Sequence, residues 1–145
     1  MQSDGSAKPI DKIKIGDKIL SVNPSSMKVE EDIVQKVDSV IHNDMVTIVF
    51  NDMTSNSNTS DHPYLVKGKG WSSAKPELTM DKYKIKTSQL QTGDTCFKYQ
   101  NNRLTEVYVK SITESNGSSM TYNLSNLKRN NSFFANGILV SNESY

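Results

Sequence analysis

The sequence predicts an all-β protein with approximate two-fold symmetry, and three observations carry that expectation. Short apolar or β-branched runs are separated throughout by Gly, Pro, Asn and Asp turn signals. The order of runs in the first half returns in the second as an internal repeat. Ile15-Gly16-Asp17-Lys18-Ile19-Leu20 is echoed by Thr92-Gly93-Asp94-Thr95-Cys96-Phe97. Val37-Asp38-Ser39-Val40 with Met45-Val46-Thr47-Ile48 is echoed by Val109-Lys110-Ser111-Ile112 with Met120-Thr121-Tyr122-Asn123-Leu124. Finally, each copy holds too few apolar residues to bury a core alone, so the two must share one. An unrelated meander is the alternative that the pattern leaves open.

Taken in order, Lys8 to Val22 alternates apolar and polar residues around Gly16-Asp17, which predicts two short strands. Asn23-Pro24-Ser25-Ser26 reads as a loop. Asp32–His42 and Met45–Phe50 read as a hairpin turning on Asn43-Asp44. The polar stretch from Asn51 to Ser60 leads to a short strand, Asp61 to Val66, with Pro63 at its edge. Trp71 follows a Gly-rich turn, and Glu77-Leu78-Thr79-Met80 is one helical turn. Ile85 to Leu90 then leads to the strand-like run around Cys96, and strands follow at Glu106–Ile112 and at Met120–Leu124, with a turn at Gly117-Ser118. The chain closes on Ser132-Phe133-Phe134-Ala135-Asn136-Gly137-Ile138-Leu139-Val140-Ser141-Asn142. This is a hairpin, because Asn-Gly supplies the positive φ angles of a tight turn.

Composition limits the function. A 145-residue chain can bury a core as one domain. Net charge +1, with charges dispersed, gives no footprint for nucleic acid or a membrane surface. Lys67-Gly68-Lys69-Gly70 reads as turn-solvating charge, since it lacks the strand-to-helix context of a phosphate loop. No window nears the ~18 apolar residues of a membrane-spanning helix, so a soluble chain is expected. The single cysteine, Cys96, excludes an internal disulfide; it suits core packing and an intracellular, cytoplasmic setting. With two histidines, His42 and His62, and no cluster around either, neither a metal nor another cofactor is expected.

Two places carry chemistry. Thr59-Ser60-Asp61-His62-Pro63 puts a hydroxyl and an imidazole on a loop entering a strand, where both can face one acceptor. Histidine can polarise a scissile peptide and protonate its leaving nitrogen near neutral pH. A surface loop whose His62 serves a backbone carbonyl is the plainer alternative. At the other place, Asn142 directly follows the buried-looking Ile138-Leu139-Val140 and Ser141. A rigidly held Asn amide there can attack its own main-chain carbonyl, close a succinimide and break the bond to Glu143.

Together these residues resemble the Hint superfamily, the hedgehog and intein self-processing domains, and most closely its bacterial-intein-like branch. The resemblance runs through Asp4-Gly5, Lys8-Pro9-Ile10, Ile15 to Ser21, Thr59-x-x-His62-Pro63, Gly93-Asp94, Tyr122-Asn123-Leu124 and the block from Phe133 to Asn142. It implies a Hint-fold horseshoe, all-β with pseudo-two-fold symmetry, as one domain over 1–145 with 143–145 as downstream flank. It further implies that an upstream Cys or Ser converts its peptide to a thioester or ester, aided by Thr59 and His62. Asn142 then cyclises and releases the downstream segment, with the substrate built into the chain.

Departures from the family pattern are as informative. The family's nucleophile precedes the Asp-Gly matched by Asp4-Gly5, so the opening strand is expected to be missing. Ser141 stands where the family commonly has His. Asn123 replaces an acidic residue and Asn131 a His; with Ser141 they are the second-rank candidates. Glu143 stands where splicing needs Cys, Ser or Thr. The expectation is therefore cleavage, or acyl transfer to an amine acceptor protein, with slow Asn142 cyclisation; the other partners are the flanking segments of its own precursor. The competing class is a non-catalytic β-rich protein-interaction module, a degenerate Hint domain. A multiple-turnover hydrolase using His62 and Asp61 is disfavoured, as no nucleophile elbow is present.

Overall fold

The computed structural model describes residues 12–23, 25–42, 45–83, 86–115 and 119–141. The turns expected at Asn43-Asp44 and Gly117-Ser118, the strand expected to begin at Lys8, and the Asp4-Gly5 pair of the resemblance lie wholly or partly outside them. The first half of the described chain forms β1 (Lys18–Asn23), β2 (Lys28–His42), β3 (Met45–Phe50), β4 (Ser55–Thr59), β5 (Tyr64–Val66) and β6 (Gly70–Ser73). A short helix, α1 (Pro76–Tyr83), leads to the second half. There follow β7 (Ser88–Gln89), β8 (Thr95–Gln100), β9 (Arg103–Ser115), β10 (Ser119–Leu127), β11 (Ser132–Ala135) and β12 (Ile138–Ser141). The chain is all-β, as its sequence predicts. No helix among the described residues is long and apolar enough to cross a membrane.

The repeat is visible bond by bond. Gly16 donates to the Val34 carbonyl at 2.8 Å and Val34 donates back to Asp17 at 3.0 Å. Gly93 and Val109 repeat the first bond at 2.8 Å, and Val109 and Asp94 the second at 2.9 Å. Each aspartate also folds its carboxylate back onto the turn: Asp17 accepts from Lys14 N–H and Asp94 from Gln91 N–H. Both glycines hold positive φ, 93° and 89°, which a side chain would resist. Val34, not Val37, is thus the counterpart of Val109. The stretch from glycine to valine is two residues longer in the first copy because the first hairpin closes at Asn23–Lys28 and the second more tightly at Gln100–Arg103.

The sequence-predicted hairpin of β2 with β3 is corrected by the structure. The start of β2 pairs with β1 and its remainder with β10 of the second copy. In mirror fashion β9 pairs first with β8 and then with β3 of the first copy. Local alternation cannot distinguish a strand that returns on its predecessor from one that exchanges with its twin. Three further corrections concern the extent of elements. β4 forms from the polar Ser55-Asn56-Ser57-Asn58-Thr59 because it is an edge strand fully registered on β3. Residues 13–17 are turn-forming, and β1 begins at Lys18. α1 exceeds the single turn expected, opening on Pro76, whose missing N–H costs nothing there.

Both faces of the central strands are covered, which accounts for the unbroken run Ile138-Leu139-Val140. Ile138 and Val140 enter the larger core with Ile19, Phe50, Tyr64, Cys96, Val109 and Phe133. Leu139 turns the other way, to a smaller core with Leu20, Val22 and Phe134. Alternation along a strand divides neighbours between the faces. Lys67 and Lys69 in the β5–β6 turn meet Glu106 and Asp94, agreeing with turn-solvating charge.

Cys96 is fully buried. Burial, with the Asp94 carboxylate, pushes its thiol up to about 12 from an ordinary 9.0. Between those values the unfolded chain has lost the thiol proton and the folded one keeps it, so stability falls as pH rises, by up to about 1.4 kcal/mol per pH unit. Urea unfolding at pH 8 and at pH 10.5 is expected to show a larger loss for the parent than for Cys96→Val.

Candidate functional site

Thr59 closes β4 opposite Met45, and the chain then turns through Ser60, Asp61, His62 and Pro63 into β5. All four residues from Thr59 to His62 are buried. Buried backbone needs partners, and here each carbonyl partner comes from a different place. The Thr59 carbonyl accepts the His62 N–H at 3.1 Å, and the Ser60 carbonyl accepts the Lys75 N–H at 2.9 Å. The Asp61 carbonyl accepts the Thr79 hydroxyl at 2.7 Å. The Pro63 carbonyl accepts the Ser141 N–H at 3.0 Å.

His62 is 7% exposed. It stands edge-on to Phe133 of β11, with centroids 6.4 Å apart at 89°, and to Tyr64 of β5 at 6.2 Å and 64°. Tyr64 in turn receives a hydrogen bond from the Asn58 amide of β4. The ring is thus walled by the terminal hairpin on one side and β5 on another. Enclosure of this kind restricts its rotamers.

The terminal hairpin forms as predicted. Asn136 and Gly137 both hold positive φ, 51° and 84°. The turn is braced by the β3–β4 region: Asn136 Nδ2 donates to the Ser55 carbonyl, and Asn56 Nδ2 donates to the Ala135 carbonyl. β12 lies between β8 and β5, with Ile138 opposite Lys98 and Val140 opposite Tyr64. Lys98 reaches Asp52 at 2.6 Å and Thr54 at 2.7 Å. Burial raises the Asp52 carboxyl, but the bonds from Lys98 and Thr54 outweigh it and leave the group below the usual carboxylate range.

The entry to β11 is held by two buried polar groups that sequence reasoning missed. Ser132 accepts the Val22 N–H and donates to the Val22 carbonyl, fastening β11 to β1. The Asp32 carboxylate, 1% exposed, accepts from the Ser21 hydroxyl and from the N–H groups of Ile33, Arg129 and Asn130. Asp32 lies two residues before the inward-facing Val34, so the alternation of β2 was the available signal. The hydroxyl of Thr79 was missed as well, on a helix expected to be a single turn.

Of the sequence candidates, Thr59, His62 and Ser141 come together through the bonds above. Asn131 is exposed and stands one residue before the Ser132–Ser141 pair. Asn123 lies on β10 opposite Asp38, just before a bulge; its side chain, like Asn142 and the flank 143–145, lies outside the described residues. Among the described residues no group of three or more His, Cys, Asp or Glu is gathered that could hold a metal ion.

Removing the Asp32 carboxylate would strand four donors in a buried place. Asp32→Ala is expected to cost about 3 kcal/mol or more, and Asp32→Asn less, read as a fall in urea midpoint at unchanged slope.

The family model of the Ataxin-1 and HBP1 module (AXH) matches residues 1–101. No curated protein matches the chain. Among solved structures it is similar to a DnaB intein from Synechocystis sp. PCC 6803, with 19% identity over 97% of this chain and 89% of that one, at TM-score 0.76. It is also similar to a bacterial intein-like domain from Clostridium thermocellum, with 20% identity over 92% and 86% and TM-score 0.69. For the gp41-1 intein the figures are 17%, 93%, 87% and 0.63. At such identities the likeness carries the fold: this chain has the all-β Hint fold of inteins.

Proposed function

We propose that this chain, which belongs to the Ataxin-1 and HBP1 module (AXH) family and is folded like an intein, is a single-turnover self-processing domain. The observation that supports this most is the Ser141 N–H to Pro63 carbonyl bond. It fixes the residue before Asn142 beside the only histidine with a described side chain, in a buried setting. A self-cleaving asparagine and a general acid need that proximity, and no substrate has to be bound.

Two steps follow in this reading. At an upstream junction, a Cys or Ser nucleophile attacks the preceding carbonyl; Thr59 orients that carbonyl and His62 gives a proton to the departing amide nitrogen. At the downstream junction, Asn142 Nδ2 attacks its own carbonyl carbon, the bond to Glu143 breaks, and the Glu143 nitrogen leaves as an amine after taking a proton. Ser141, Asn123 and Asn131 are the side chains available to assist there. Hydroxyl and amide groups are weaker acids than imidazolium, so this second step is the slower. The upstream acyl group passes to water or to an amine acceptor protein.

The test is a precursor with native upstream residues and a tag at each end, followed by intact mass with and without thiol. Upstream release is expected, lowered by roughly 10² to 10⁴ in His62→Ala. Downstream release is expected to stop in Asn142→Ala. Both tags remaining attached in the parent would refute self-processing. It would leave the second reading, a non-catalytic β-rich protein-interaction module, which the match to a family described as a module favours.

A further inference from the structure

The helix α1 lies behind the His62 turn, and the residue before it and one in its first turn both reach that turn. Lys75, whose carbonyl accepts from Leu78 and Thr79 as the helix begins, gives its own N–H to the Ser60 carbonyl. Thr79, one turn on and fully buried, offers its hydroxyl to two carbonyls, Asp61 at 2.7 Å and Lys75 at 3.4 Å. The shorter contact is the bond, since interaction falls steeply beyond about 3 Å.

A hydroxyl has one proton, and that fact orients the rest of the cluster. Thr79 spends its proton on Asp61, so the 2.8 Å contact with Ser73 must be a donation from Ser73. Ser73 has then spent its own, so the 3.0 Å contact with Thr87 is a donation from Thr87. The result is a directed chain, Thr87 to Ser73 to Thr79 to the Asp61 carbonyl, in which each bond polarises the next. Ser73 and Thr79 are both fully buried, and Thr87 is half-buried.

The carbonyl at the end of this chain belongs to the Asp61–His62 peptide. The N–H of the same peptide is bound to Thr59 at 3.1 Å. Both polar ends of one peptide plane are therefore fixed, one from α1 and one from β4. The next peptide runs into Pro63, which restricts the His62 backbone further. With the backbone set, the imidazole direction depends on side-chain torsions that Phe133 and Tyr64 already confine.

We propose that Thr79 is a positioning residue for His62. It acts through the Asp61–His62 peptide plane, with the Ser73 and Thr87 hydroxyls holding its proton in the working direction. The proposal rests on the self-processing reading for its kinetic consequence but not for its geometric one.

The test uses Thr79→Val, which keeps the volume and removes the donor, and Thr79→Ser, which keeps the donor. Two quantities are read: upstream release from the double-tagged precursor, and the His62 ring resonances across a pH titration of the 145-residue chain. Thr79→Val is expected to slow release about tenfold, as small misplacements of a reacting group do, and to displace the ring resonances and their titration midpoint. Thr79→Ser is expected to hold both near the parent. A Thr79→Val variant with lowered Tm but the parent's ring signals and rate would overturn the proposal, as would equal losses in the two variants. If the parent releases nothing upstream, the self-processing reading falls, and the ring titration alone decides the role of Thr79.

Discussion

The exchange of long strands between the two halves is the constraint on which the remaining structure depends. β2 and β9 each begin on a neighbour from their own copy and end on a strand from the other. Neither copy can complete its sheet alone, because half of its longest strand would be left with open backbone groups. The core obeys the same rule: Val34 and Val109 stand at equivalent turns in opposite copies and enter one cluster. The fold is therefore cooperative across the repeat, and strands of both halves, β5 and β11, meet at the centre around His62.

That centre is made rigid chiefly by main-chain bonding. Around Thr59 to Pro63, four carbonyls are satisfied by donors from the turn itself, the residue preceding α1, α1 and the last strand. A turn so widely anchored cannot move without breaking bonds in several elements at once. The terminal hairpin is held likewise, through Ser132 to β1, through Asp32 at its entry and through Asn136 to Ser55. Rigidity of this kind suits chemistry in which the substrate is the chain's own backbone, where geometry takes the place of affinity.

The match to the Ataxin-1 and HBP1 module ends at residue 101, whereas one wall of the His62 site comes from Phe133, and Ser141 binds the adjoining Pro63 carbonyl. The matched part contains Thr59, His62 and the β5 wall with Tyr64, but not the terminal hairpin that walls the other side of the ring. β12 fills the place between β8 and β5, so the last described strand completes the sheet at the point where the candidate residues meet. A sequence family drawn on the first two thirds and a fold drawn on the whole chain thus describe different extents of the same molecule.

Sequence alone determined what short-range chemistry dictates. Asn136-Gly137 could only be a tight hairpin turn, since few other pairs accept two positive φ angles. Gly16-Asp17 and Gly93-Asp94 announced equivalent turns, and their echo gave the all-β class and its symmetry. Thr59 and His62 were legible as a hydroxyl and an imidazole on one loop, whereas Ser141 was singled out only by the resemblance. Only tertiary structure decided which strands pair, because alternation records which face is buried and not which neighbour supplies the hydrogen bonds. It also decided the roles of Asp32 and Thr79: a buried polar group is recognised by the donors and acceptors around it, and those come from residues distant in the chain.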